Sequence, residues 1–138
     1  MKRKFSLILV LVMVAVAILQ SSLLASGISL YNNNTQETKS YFLISDEGIA
    51  TVGVSYDGYS NVTTSATISI TIEKRNLLFF WNDVVSETIT VSGVRYSDEF
   101  EYQLDDTGTY RCTVEYAVSG TGGADDVITF EDTKTYSN

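Results

Sequence analysis

The segment at residues 106–112 constrains the fold of this chain more than any other feature. It reads Asp-Thr-Gly-Thr-Tyr-Arg-Cys, and apolar and polar residues alternate from Tyr110 onwards. The apolar parity holds Tyr110, Cys112, Val114, Tyr116 and Val118, and the polar parity holds Arg111, Thr113 and Glu115. Because successive side chains of a strand point to opposite faces, this alternation predicts a strand with one apolar and one wet face.

The pattern Asp-x-Gly-x-Tyr-x-Cys resembles the one that opens strand F of immunoglobulin-type sandwiches. Asp106 and Gly108 suit the tight turn before the strand, because glycine tolerates positive φ. The resemblance implies that Tyr110 forms a tyrosine corner, in which its hydroxyl group hydrogen-bonds to upstream backbone. Asp106, Gly108, Tyr110 and Cys112 are therefore expected to serve the core and the turn.

Cys112 is the only cysteine, so the disulfide of antibody-like members of the family cannot form within the chain. An exported chain with an odd thiol could dimerise through it. The inward parity of Cys112 instead predicts a small buried hydrophobic residue.

Further segments alternate in the same way and are separated by turn residues. They occupy residues 49–56, 66–73, 87–91, 94–104 and 127–136. About seven short strands and no convincing helix predict an all-β fold, a single immunoglobulin-like antiparallel β-sandwich. The predicted organisation is a signal peptide at 1–25, a polar and disordered lead-in at 26–40, and the sandwich at 41–138.

The N-terminal segment has the layout of a secretory signal peptide. Lys2, Arg3 and Lys4 precede an apolar run at residues 7–19, and Ala25 offers a small residue for cleavage. We therefore expect a secreted, extracellular protein. The alternative is an uncleaved leader that tethers the domain to a membrane.

Removal of the leader leaves 6 Lys and Arg residues against 17 Asp and Glu residues, a net charge of −11. Nucleic acids and anionic lipid surfaces repel such an acidic chain. The composition therefore predicts no nucleic-acid partner and no membrane contact after signal cleavage.

Histidine is absent, which removes the commonest general base and excludes Ser-His-Asp and Cys-His arrangements. A carboxylate pair could still hydrolyse glycosides, so a small secreted hydrolase remains a remote alternative. The acidic pairs Asp105-Asp106 and Asp125-Asp126 lack the alternating spacing of a calcium loop. We predict a protein that is not an enzyme and has neither a metal site nor a cofactor.

Aromatic residues are the remaining candidates for binding. Residues 77–81 read Leu-Leu-Phe-Phe-Trp, which predicts a strand with two apolar faces, one in the core and one in need of a cover. Trp81 could pack into the sandwich core or contribute to an interface with Phe80. Tyr59 is predicted to project from the turn at residues 57–61. The candidate binding residues are Tyr59, Phe80 and Trp81.

The mature chain also resembles small exported proteins of Gram-positive bacteria with no known activity. The resemblance rests on the leader, Ile68 to Lys74, Trp81, Gly108 to Tyr116, and the glycine-rich turn at 120–123. It implies a fold and an exported location but no chemistry. We predict an exported, non-enzymatic binding module for an unknown protein or glycan at the cell surface or in the medium, with weak self-association as a further property. The alternative is a self-associating structural protein of the cell envelope. A eukaryotic or viral immunoglobulin domain fits the motif but not the single cysteine.

Overall fold

The computed structural model describes residues 32–137. The predicted signal peptide lies outside these residues. Seven strands follow one another within the described part of the chain. They are β1 (Thr35–Ile44), β2 (Ile49–Gly58), β3 (Thr63–Arg75), β4 (Trp81–Ser92), β5 (Arg95–Gln103), β6 (Gly108–Gly120) and β7 (Asp126–Tyr136).

The strands form two sheets in which every pairing is antiparallel. One sheet has the order β1-β2-β5, and the other has the order β4-β3-β6-β7. The predicted all-β, immunoglobulin-like sandwich of about seven strands is confirmed. β4 extends the sheet of β3 and β6, in the way that the additional strands of variable-type immunoglobulin domains do.

The core lies between the sheets and is built from the inward parities of β2, β3 and β6. β3 alone contributes Ala66, Ile68, Ile70 and Ile72, each exposed by at most 1%. The alternation seen in the sequence places the Thr and Ser residues of β3 on the opposite, outer face. Burial of a β-branched side chain of this kind stabilises a fold by about 1.5–3 kcal/mol, so β3 is a principal contributor.

The polar lead-in predicted at residues 26–40 needs a correction from residue 33 onwards. β1 begins at Thr35, six residues before the predicted start of the sandwich. The Asp126 carboxylate accepts hydrogen bonds from the backbone N–H groups of Asn33 and Asn34 at 2.8 and 2.7 Å. The buried Asn34 amide donates to the carbonyl oxygens of Val118 and Ala124 at 3.3 and 3.0 Å. Polar residues are ordered here because a distant loop satisfies them.

Charged residues occupy inward positions on three of the four outer strands of the sheets. Glu87 on β4 pairs with Ile70, Asp98 on β5 pairs with Val54, and Asp132 on β7 pairs with Cys112. The Tyr102 hydroxyl donates to Glu87 at 2.5 Å, and the Tyr96 hydroxyl donates to Asp98 at 3.0 Å. Inward-pointing charges at sheet edges oppose pairing with further strands. They take the protective role that proline, absent from this chain, often has.

Candidate functional site

The loop between β3 and β4 is held in one shape by a single asparagine. The Asn76 Oδ1 atom accepts hydrogen bonds from the N–H groups of Leu78 and Phe80 at 2.9 and 3.0 Å. The Asn76 backbone also donates to the Phe80 carbonyl at 2.8 Å and accepts from the Phe79 N–H at 3.0 Å. Asparagine favours such turns because its side chain bonds to backbone a few residues ahead. We call residues 76–80 the apolar loop.

Phe79 occupies a backbone conformation that bulky residues rarely adopt. Its φ is 65°, in the left-handed region where a hairpin of this kind usually has glycine. The left-handed conformation costs a residue with a side chain about 1–2 kcal/mol. Burial does not offset this cost, because Phe79 is largely exposed. The strain is retained at a position where the side chain faces solvent.

Four consecutive large apolar side chains are exposed in the apolar loop. The exposed fractions are 98% for Leu77, 74% for Leu78, 71% for Phe79 and 66% for Phe80. The predicted strand at residues 77–81 is therefore wrong, since only Trp81 belongs to a strand. A continuous apolar run fits a buried strand and a protruding tip equally well, and here the hydrogen bonds of Asn76 favour the tip. Exposed apolar patches of this kind mark interaction sites.

A β-bulge explains why Trp81 does not enter the core. Ile72 pairs with Val85 while Glu73 pairs with Asp83, which leaves Val84 as the extra residue in β4. One extra residue reverses the faces, so Val85 points inward although Trp81 lies on the outer face. The interpretation of Trp81 as a core residue is wrong. Trp81 is half-buried and forms the base of the apolar loop.

Two arginine side chains stack on aromatic rings of the loop and its base. The Arg111 guanidinium lies 4.5 Å from the centre of the Trp81 ring, and its Nε and Nη2 atoms contact Glu73 Oε2 at 2.8 and 2.7 Å. The Arg75 guanidinium lies 4.5 Å from the centre of the Phe79 ring. Such cation–π contacts contribute about 0.5–1 kcal/mol at exposed sites and fix the side chains in place.

An open groove of about 770 Å³ runs beside the base of the loop. Its walls include Lys74, Leu77, Phe79, Val84 and Thr109. Lys74 is bound to the Asp106 carboxylate at 3.1 Å. The groove is apolar on the loop side and polar on the side of the turn before β6, so it can accept an amphipathic group.

The candidate binding residues do not form one site. Phe80 and Trp81 are adjacent at the end where β3 stops, whereas Tyr59 lies in the turn where β3 begins. The 13 residues of β3 separate the two ends by about 40 Å. Tyr59 is exposed at the turn, as predicted. Leu77, Leu78 and Phe79 belong with Phe80 and Trp81; they lie in the apolar run predicted to need a cover but were not among the candidate binding residues. Arg75 also belongs to this site and was not identified from the sequence. Asn76, a turn-forming residue before the apolar run, was the available signal.

The residues of the strand F motif have the structural roles that were predicted for them. The Tyr110 hydroxyl donates to the Asp106 carbonyl at 2.5 Å, which is the hydrogen bond of a tyrosine corner. Gly108 has a φ of 151°, and a Cβ atom there would lie 2.9 Å from the Lys74 side chain. Cys112 is a free, fully buried cysteine, and burial raises the pKa of its thiol to about 12. Gly108 also lines the groove beside the apolar loop, whereas Tyr110 and Cys112 do not.

The adjacent acids Asp105-Asp106 and Asp125-Asp126 do not act as pairs. One member of each pair binds another part of the protein, and the other member faces solvent. Asp126 holds the start of β1, and Asp106 holds Lys74. Within residues 32–137, no three His, Cys, Asp or Glu side chains are grouped to hold a metal ion. No helix in this part of the chain is long and apolar enough to cross a membrane.

Comparisons with known proteins add little to this description. No protein-family model and no curated protein matches the chain. Among solved structures, the chain is similar to a β-glucosidase from Listeria innocua in complex with isofagomine, with 14% identity and a TM-score of 0.42. The similarity covers 71% of this chain and 16% of the enzyme chain, so the chain spans about one sixth of that protein's length. A likeness this weak carries no argument about function.

Proposed function

We propose that the protein is an exported, non-enzymatic binding module that contacts its partner through the apolar loop. The observation that carries the proposal is the strained, exposed Phe79 beside three further exposed apolar side chains. A residue that breaks a local backbone rule without gaining burial is expected at functional rather than structural positions. Aromatic and arginine side chains, both present here, dominate the energetics of binding interfaces.

The absence of a histidine anywhere in the chain supports a binding role over catalysis. The acids near the loop, Glu73 and Asp106, are engaged in ion pairs with Arg111 and Lys74. Paired carboxylates are poor candidates for general acids or bases, so a small secreted hydrolase stays the remote alternative.

A self-associating envelope protein is the second candidate, and the exposed apolar loop is the observation in its favour. Two features oppose it. Each copy carries a net charge of −11 after leader removal, and inward-pointing acids protect β4 and β5. Sedimentation velocity distinguishes the candidates, because a protein that stays monomeric at high concentration excludes self-assembly.

The test of the binding role is retention of the exported chain on the producing cell's envelope. Leu77→Ser/Leu78→Ser should move the protein from the envelope fraction to the medium. The matched control is Leu43→Ser/Val127→Ser, which removes two exposed apolar side chains from β1 and β7. Equal retention of the wild type and both variants would overturn the proposal, provided that circular dichroism shows all three folded.

A further inference from the structure

The apolar loop and its base differ in charge from the rest of the molecule. Residues 74–82 contain Lys74 and Arg75 and no acidic residue, although acids outnumber bases 17 to 6 in residues 32–137. Glu73 and Asp83 flank this segment on either side. Arg75 is exposed, and among the described residues it is the one cation without an ion pair. The segment is therefore apolar at its tip and cationic at its base.

The shape of the loop narrows the choice of partner. All four tip side chains are more than half exposed at once, so the body of the protein shelters none of them. Four such side chains present on the order of 600 Å², less than the roughly 800 Å² per partner that a stable protein–protein interface needs. A convex tip pressed against the same tip of a second copy would bury still less. A deformable layer of lipid can surround a protruding tip on every side.

The order of residue types along the loop also matches a lipid interface. Leu77, Leu78 and Phe79 lie at the tip, and Trp81 with Arg75 and Lys74 lies at the base. Tryptophan is enriched at the level of lipid headgroups, and basic residues beside an apolar segment are attracted to anionic headgroups.

The net charge of the whole chain opposes this binding less than the composition indicates. The Debye length is about 8 Å at physiological ionic strength, whereas β3 extends about 40 Å from the loop. The acids on the distant parts of the sheets are screened when the molecule approaches end-on. Near the loop, Asp106 and Glu73 are paired with Lys74 and Arg111. Asp83 and Asp105 remain as opposing charges at this end. Asp46 and Glu47 oppose binding as well, because their exposed turn between β1 and β2 lies beside Leu104 and Tyr136 at the same end.

We propose that the apolar loop inserts into the interfacial region of an anionic lipid layer, with Leu77, Leu78 and Phe79 among the acyl chains and Lys74 and Arg75 at the headgroups. This proposal rests on the binding function proposed above and names the partner for it. One short apolar loop gives weak and reversible association, comparable to that of a single lipid anchor.

Trp81 provides the measurement, because it is the only tryptophan of the chain and stands at the base of the loop. The full chain is mixed with vesicles of phosphatidylcholine alone or with about one third phosphatidylglycerol. We expect a blue shift of Trp81 emission, quenching by brominated lipids, and binding on the order of tenfold stronger to the anionic vesicles. Any vesicle binding by the N-terminal leader is the same in all variants. The Trp81 signal, by contrast, reports on the surroundings of the apolar loop.

Variants decide whether the loop causes the signal. Leu77→Ser/Leu78→Ser should abolish the shift, and Leu43→Ser/Val127→Ser should leave it. Arg75→Gln should weaken binding to anionic vesicles several-fold, whereas Lys39→Gln, on the outer face of the other sheet, should not.

Three outcomes would overturn the lipid proposal. They are no shift with any vesicle, a shift that survives Leu77→Ser/Leu78→Ser, and a concentration-dependent shift without lipid that indicates a second copy. If vesicles fail while envelope retention still depends on Leu77 and Leu78, the binding module stands and its partner is a protein. If retention is also independent of the loop, both proposals fail.

Discussion

The Tyr110 hydroxyl group joins the turn before β6 to the core by one hydrogen bond to the Asp106 carbonyl. The Tyr110 ring is buried while its hydroxyl oxygen reaches the turn, so this one side chain holds both β6 and the turn that precedes it. The same turn holds Lys74 through the Asp106 carboxylate. A change at Tyr110 therefore tests the corner itself.

Tyr110→Phe should lower the free energy of unfolding by about 1 kcal/mol, because it removes the hydrogen bond and leaves the packing intact. The measurement is urea denaturation followed by circular dichroism. Tyr59→Phe, on an exposed turn, is the control and should leave the midpoint unchanged. Equal midpoints for Tyr110→Phe and the wild type would show that the corner does not contribute to stability.

Cys112 should not react with a thiol reagent at pH 8 while the protein is folded, and should react completely in denaturant. Burial raises the pKa of the thiol to about 12, so the thiolate is scarce and inaccessible in the native state. A rapid native reaction would place Cys112 at the surface.

The same pKa shift predicts a loss of stability at high pH. The folded pKa lies above the unfolded value of about 8.5, so the contribution is complete below that value and is lost as the pH rises towards 12. The pKa values of Tyr56 and Tyr116 are raised by burial and act in the same direction. Urea midpoints recorded from pH 8 to 11 should fall, and Cys112→Ala should fall less steeply.

Single residues were predictable from the sequence where their partners are near in the chain. Cys112 was correctly predicted to be buried because strand parity decides its face. Tyr110 was correctly predicted to bond to upstream backbone because its acceptor, Asp106, is only four residues away. Asn33 and Asn34 were assigned to a disordered lead-in because their partner, Asp126, lies more than 90 positions away. A polar residue in a sequence does not reveal whether a distant group will satisfy it.

At the scale of elements, alternation predicted β2, β3, β5, β6 and β7, and residues 87–91 of β4, because each has a single consistent parity. The apolar loop escaped prediction because five consecutive apolar residues carry no parity. The bulge at Val84 escaped it because one extra residue leaves no mark in composition. Both features concern the candidate site, so the fold was more predictable than the site.

Phe79→Gly tests whether the strained, exposed phenylalanine lowers the stability of the fold. Glycine removes the strain at a φ of 65°, while its unfolded-state entropy and the lost contact with Arg75 offset part of the gain. The free energy of unfolding should stay level or rise by up to about 1 kcal/mol, while lipid binding weakens. A loss of about 3 kcal/mol, as for a packed phenylalanine, would show that Phe79 is structural.

Asn76→Ala should loosen the apolar loop without unfolding the sandwich. Two backbone donors, the N–H groups of Leu78 and Phe80, lose their acceptor, although both can turn to water. Amide hydrogen exchange should accelerate in residues 77–80 and stay unchanged in β6. Asn82→Ala, at the start of β4, serves as the control. Unchanged exchange in the loop would mean that the backbone hydrogen bonds suffice.

At the scale of the whole sandwich, the exposed side chains of the apolar loop lie at one end, and three of the four outer strands carry charges that oppose pairing with further strands. Sheet edges carry inward charges on β4, β5 and β7, whereas the end of the sandwich beyond β3 exposes four apolar side chains. Pairing with further strands is therefore opposed at β4, β5 and β7, whereas the loop presents an apolar surface.

Glu87→Val should increase self-association of the protein. It gives β4 a continuous inward apolar row with Val85, Ile89 and Val91, and it removes the hydrogen bond from Tyr102. Sedimentation velocity should show a larger average mass for Glu87→Val than for the wild type at the same concentration. Glu115→Val, on the outer face of the central strand β6, changes the charge equally and should sediment as the wild type does.

The clamp between Asp126 and the start of β1 has a mechanical consequence. Residue 32 lies at one end of the sandwich and the apolar loop at the other, so a load between them would run parallel to the strands. Hydrogen bonds between antiparallel strands stand perpendicular to that direction. The bonds joining β1 to β2 would therefore share the force in shear instead of opening one at a time, and the two bonds at Asp126 would have to break before β1 could slide. A sandwich held at residue 32 and at its loop would resist extension as a unit.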